Sequence, residues 1–290
     1  MVFESISVLL RDWWANPLFS HARRLMPLPL DDLRRFAPIG AGALALISIL
    51  TWVINWRAVG AALVGLSFGV ILTLTLVTPA VGARRVARQM GVPGQDPRQL
   101  TDLAAEDVAW GLALAALWQL RWLVVLALVV TPVLVIGVLR LELSDFATWR
   151  ASTEALGGAG VADPSARLLP GGRIPFFRLA VRALSAGLLP WAMLPLLSTL
   201  GVMVALSVYE PSLSLLAALL VGAIGTAVVA LIWNTIASTP LLAGPLEVVR
   251  VILLGGICGG LGLLARRANR QNARLLLRPA QPVRGHQTYE

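Results

Sequence analysis

The sequence predicts an all-α fold: a polytopic membrane protein with about six transmembrane helices, an N-terminal amphipathic segment and one further helix on the cytoplasmic side. Three observations predict it. Of the 290 residues, 57% are hydrophobic and only 13% are charged, whereas a soluble domain carries roughly 25% charged residues. The mean hydropathy is +0.78. The apolar residues also fall in separate blocks with arginines at their edges, each block near the ~20 residues that a helix needs to cross a bilayer core.

The elements follow in order. Residues 1–35 contain Arg11, Asp12, Arg23 and Arg24 without a long apolar core, so they read as an interfacial segment and not as a cleavable signal peptide. A membrane domain over 36–265 comes next. Its first two crossings, 36–56 and 58–83, form a hairpin bounded by Arg57 and Arg84. After a polar stretch to Asp107, the run 108–139 is interrupted only by Arg121. As one helix it would be ~48 Å long, too long for one crossing of a ~30 Å core and too short for two. The economical division is an amphipathic interfacial helix over 104–119 and a third crossing over 122–139, with Arg121 snorkelling at the boundary.

Residues 140–174, with Gly157, Gly158, Gly160, Pro164, Pro170, Gly171 and Gly172, read as a loop. An interfacial helix over 175–182 then leads into the fourth crossing, 183–209, which holds Pro190 and Pro195. Prolines are tolerated in a membrane helix where neighbours satisfy the freed carbonyls. A short turn at Glu210-Pro211-Ser212 precedes the fifth crossing, 213–236, and a Pro/Gly connection precedes the sixth, 246–265. Residues 266–290 form a basic polar tail.

All 24 basic residues are Arg, against 15 acidic ones. With both termini in the cytoplasm, 15 arginines lie inside and seven outside, as the positive-inside rule favours. Membrane topology therefore accounts for the positive charge, and no nucleic-acid partner is implied. His21 and His286 are the only histidines and both lie in terminal polar segments, while Cys258 is the only cysteine. No crossing offers an imidazole to a haem or pigment, and one thiol makes neither a disulfide nor a thiolate cluster. No carboxylate lies in mid-span, and Glu247 is at an edge, so a carboxylate proton relay lacks its groups. Without Lys there is no P-loop. The chain is expected to have no enzymatic activity, no cofactor and no metal.

Arg121 and Arg250 are candidate intramembrane polar groups, with snorkelling to the interface the readier reading of each. The pairs Gly65/Gly69, Gly255/Gly259 and Gly256/Gly260 are expected to pack helices within the subunit. The tryptophans, most of them near span ends, read as an interfacial belt.

The opening Asn16-Pro17-Leu18-Phe19 with Arg23-Arg24, and the stretch Ala83-Arg84-Arg85-Val86-Ala87-Arg88-Gln89-Met90-Gly91, stand in an order of elements that resembles the permease subunit of type 2 ABC exporters. That family usually has a glutamate just before the glycine, where this chain has Gln89 and Met90, and often an acidic residue at the place of His21. The resemblance implies a coupling-like helix over 100–119 and a contact with a separate ATPase subunit through Arg84, Arg85, Arg88, Asp102, Glu106 and Asp107. It also implies a second permease subunit and a bacterial cytoplasmic (inner) membrane. An apolar, weakly charged path would suit lipid, drug, peptide or polysaccharide alike. The alternative reading is a structural or assembly subunit of a larger membrane complex that uses the permease fold as scaffold.

Overall fold

The computed structural model describes residues 16–25, 30–54, 57–90, 103–155, 176–208, 210–238 and 247–277. These form eight helices, with no strand among the described residues: α1 (Pro17–Leu25), α2 (Leu30–Val53), α3 (Arg57–Met90), α4 (Ala105–Gln119), α5 (Arg121–Ala155), α6 (Phe176–Ser207), α7 (Pro211–Ser238) and α8 (Glu247–Leu276). Pro17 and Pro211 each stand at a first helical position, where the missing N–H has no intrahelical acceptor to lose. The apolar run 108–139 breaks at Leu120, whose N–H donates back to the carbonyls of Leu117 and Trp118.

Five helices carry segments long and apolar enough to cross a membrane: Ala58–Met90, Arg121–Ser144, Leu179–Ser207, Pro211–Ala237 and Val248–Leu276. A shorter apolar segment, Ala37–Val53, lies in α2. It packs on α5 and α3. Gly40 lies beside Val129 near the start of α5, whereas Ser48 and Trp52 share a hollow with Arg140 and Ala147 farther along it. Beside the five long apolar helices, α2 therefore follows α5 from the level of Val129 to that of Ala147.

The axis of the bundle is α6, which packs on α3, α5, α7, α8 and α4. More than half of its membrane segment (56%) is buried, against 11% for that of α7, so α7 is an outer helix. At one end, α4 lies across the tips of α3, α6 and α8 in a cluster that includes Ala83, Val86, Leu112, Val202, Ala205 and Leu276. Helix α1 and the last turns of α8 both pack on α4, so both ends of the described chain are at this α4 end.

Three boundaries differ from the sequence reading. Residues 140–155 are not loop but the continuation of α5, because the glycines and prolines that marked a loop begin only at Gly157. The separate lead-in helix before the fourth crossing is part of α6, which continues through Pro190 and Pro195. The basic tail is helical as far as Leu276. It holds because Ala265, Asn269, Asn272, Ala273 and Leu276 form one buried stripe, leaving Arg266, Arg267, Arg270 and Arg274 exposed.

The close approaches also occur at other glycines than expected. Gly65, Gly69, Gly255, Gly256, Gly259 and Gly260 have nothing of the described chain within 4 Å of a would-be Cβ, so none of them is a close approach, and Gly65 borders a hollow beside α3. Instead α3, α6 and α7 meet at Pro79: a Cβ on Gly201 would overlap the Pro79 backbone, and one on Gly222 would lie 2.8 Å from Pro79 Cγ. Small residues here let helices pack at backbone distance.

Candidate functional site

From the Pro79 junction toward the end opposite α4, helices α3, α5, α6 and α7 enclose a cavity of ≈ 370 Å³. Its wall is built from positions such as Ile71, Leu134, Leu189, Met193 and Val229. The hydroxyls along it turn back on their own helices. Thr75 donates to the Leu72 carbonyl (2.9 Å), Ser185 to Arg182 O (2.7 Å) and Thr226 to Gly222 O (2.8 Å), which is the local bonding open to Ser and Thr in helices. What the wall presents is mainly hydrocarbon.

One end of this cavity is charged. Arg182 Nη1 donates to both oxygens of Glu142, at 3.0 and 2.8 Å, and Nη2 reaches the Ala237 carbonyl at 3.4 Å. The side chains are 22% and 27% exposed, so the pair lies between the surface case, worth ~0–1 kcal/mol, and the buried one, in which removing a single partner costs ~3–5 kcal/mol. It ties α5, α6 and α7 together at the mouth. Arg182 Nε is buried and has no hydrogen-bond partner among the described residues. A larger hollow of ≈ 1090 Å³ lies between α2, α3 and α5, with Arg140 in its wall and Phe68, Leu134 and Val138 shared between the two.

Sequence reasoning missed the Glu142–Arg182 pair because it set both residues outside the crossings. The available signal was the unbroken helix-compatible run from 139 to 155, which brings Glu142 onto the extended α5. Trp191 and Trp233 also depart from the belt reading. Trp191 Nε1 donates to Thr131 Oγ1 (3.1 Å), and Trp233 is buried and lines the cavity.

At the other end, α4 was expected to be amphipathic. It is instead apolar on every side, with Val108, Ala109 and all residues from Gly111 to Ala116 buried, because α1, α3, α6 and α8 surround it. Four side chains from those neighbours donate to its main-chain carbonyls. Asn16 Nδ2 reaches Asp107 O (2.8 Å), Asn269 Nδ2 reaches Glu106 O (3.1 Å), Ser198 Oγ reaches Ala113 O (2.6 Å) and Arg85 Nη1 reaches Ala115 O (3.1 Å). Asn16 can approach because position 111 is Gly, where a Cβ would stand 2.7 Å from Asn16 Oδ1. Its Oδ1 also accepts from the N–H groups of Leu18 and Phe19, capping α1. One residue thus starts α1 and fastens it to α4.

The residues read from the sequence as a partner contact divide accordingly. Arg84, Arg88, Glu106 and Asp107 are exposed at the α4 end, Arg85 is committed to Ala115, and Asp102 lies outside the described residues. Glu106 approaches Arg270 at 3.9 Å with both side chains largely exposed, a surface contact of little strength. Arg121 is the first residue of α5 and partly exposed. Arg250 is 2% exposed, so its guanidinium lies inside the bundle and not at its surface.

No protein-family model matches the chain, nor does any curated protein or solved structure. What fold and site define is a class: an all-α, multi-pass membrane protein.

Proposed function

We propose that the chain is the permease subunit of a type 2 ABC exporter, set in a bacterial inner membrane with both termini in the cytoplasm. A second permease subunit and a separate ATPase complete the transporter, and the chain itself catalyses nothing. One observation carries the reading: α4, with its exposed acidic start at Glu106 and Asp107, is fastened through four side-chain hydrogen bonds to α1, α3, α6 and α8. A displacement imposed on its exposed first turn would reach α3 and α6, which also wall the cavity. The arginines on the last turns of α8 add positive charge at the same end, the sign expected on a cytoplasmic face.

The alternative, a structural or assembly subunit, draws on the exposed apolar face of α7, where Leu213, Leu216, Leu220, Ile224 and Leu231 are uncovered. Reconstitution in liposomes separates the two. Uptake that appears only when an ATPase subunit and ATP are added supports the permease, whereas an intact complex with partners but no ATP-dependent uptake supports the scaffold. Uptake or ATP hydrolysis by the chain alone would defeat both.

A further inference from the structure

The cavity between α3, α5, α6 and α7 has one charged end, one closed end and one open side. From the charged end, the eleven-residue step from Arg182 to Met193 on α6 is ~16 Å of helix, and both residues line the cavity. That is about half of a ~30 Å hydrocarbon core, the depth of a single leaflet. The closed end lies one helical turn beyond Thr75, Met193 and Thr226, at Pro79, Leu197 and Gly222. Leu197 is 1% exposed and Gly222 meets the Pro79 ring there. The open side lies between α3 and α7, where the lining residues Phe68, Ala230 and Asn234 are exposed.

We infer that this cavity binds one acyl chain of a bilayer phospholipid taken laterally from the leaflet opposite α4, with the lipid's phosphate at Arg182. The apolar wall, with its hydroxyls already bonded, suits a hydrocarbon chain and offers little to a peptide or a sugar. Among the described residues, Arg182 has a buried N–H at Nε without a partner and a long contact from Nη2, and a phosphate oxygen can accept from both as a guanidinium fork prefers. Glu142 takes only Nη1, so it positions the guanidinium without saturating it. The volume of ≈ 370 Å³ is at the small end of ligand pockets, ~300–1,000 Å³, and accommodates one chain and not the whole lipid. As a substrate class this rests on the permease reading; as a binding site it is testable without it.

The test uses the full-length chain in detergent, labelled by phosphatidylglycerol with a diazirine at mid-chain, the adducts being mapped by mass spectrometry. Saturable labelling is expected within 68–75, 186–193 and 226–230. Ala230→Trp, at the exposed rim, should abolish it, whereas Leu216→Trp on the outer face of α7 should leave it unchanged. Arg182→Gln should weaken phosphatidylglycerol binding by about tenfold or more, the loss of a charge-assisted hydrogen bond, while leaving the matching diacylglycerol probe unaffected. The double variant Glu142→Gln/Arg182→Gln, which strands no charge, should behave in the same way. Labelling that does not saturate, that is spread along the exposed face of α7 or that persists in Ala230→Trp would overturn the site. An equal loss of both probes in Arg182→Gln would overturn the phosphate assignment. ATP-driven uptake of a different solute by a chain that fails these tests would leave the permease reading standing and remove only the lipid.

Discussion

Glycine has opposite consequences at two sets of positions in this chain. At Gly201 a methyl group would meet the Pro79 main chain, which cannot swing aside as a flexible side chain can. Overpacking of this kind costs about 1–3 kcal/mol, so Gly201→Ala should lower the thermal unfolding midpoint in detergent clearly. Gly256 has open space around it, and replacing a helical glycine by alanine gains up to about 1 kcal/mol of helix propensity. Gly256→Ala should therefore leave the midpoint unchanged or raised, and a marked fall would mean that its face is covered. The residue-scale expectation from sequence, that these glycine pairs pack internally, rested on spacing alone. Spacing identifies a smooth face but not the side of the bundle it is on.

Asn16 is the other residue whose role exceeds its type. It caps α1 and donates to Asp107 O, so Asn16→Ala removes a cap worth ~0.5–2 kcal/mol together with one interhelical hydrogen bond. The expected result is faster proteolysis within residues 17–25 while the membrane bundle stays folded. Protection equal to that of the unaltered chain would show that Phe19 and Ala22, buried against the bundle, hold α1 unaided.

Among the elements, α4 shows how burial restricts a partner contact. Among the described residues, its first turn, Gln119 at its far end and the neighbouring exposed arginines are open to a second protein. Replacing Glu106 and Asp107 together by Arg should reduce co-purification of an ATPase subunit and leave membrane insertion intact. Both side chains are exposed, and the ties from Asn16 and Asn269 go to main-chain oxygens that the substitution keeps. Unchanged co-purification would remove this turn from the interface. The sequence reading took α4 as amphipathic although no polar side chain separates Asp107 from Gln119, so the signal of a helix apolar all round was present and missed. The order of helices alone does not say that α1, α3, α6 and α8 converge on it.

The alternating direction of the helices has a consequence for the whole molecule. It puts α1 and the end of α8 on one side and the starts of α3 and α8 on the other. With the α4 end in the cytoplasm, a reporter fused at residue 160 should lie outside and a C-terminal fusion inside. The lone Cys258 makes a chemical version direct. In a Cys258→Ala background, a cysteine at Arg88 should react with a membrane-impermeant maleimide only after the membrane is opened. Either reporter on the opposite side, or labelling of the Arg88 position in sealed cells, would reverse the orientation.

What the sequence by itself determined is the set of helices that can live in a bilayer. An apolar block without charge has to be helical there, because only a helix satisfies its own main chain within one segment. The turn at Glu210-Pro211-Ser212 was legible for a similarly local reason, the helix starting at Pro211 itself. Tertiary structure alone decided which groups meet. Glu142 and Arg182 stand 40 positions apart and come together because α5 runs on past its apolar block and α6 begins before its own. Local composition averaged over 140–174 hides that extension, and no periodicity in either helix pairs one charge with the other. The cavity arises in the same way, since α3, α6 and α7 meet at Pro79, Gly201 and Gly222 and leave space beyond. That space belongs to no single segment: it exists only because backbones that touch at one level cannot also touch along their whole length.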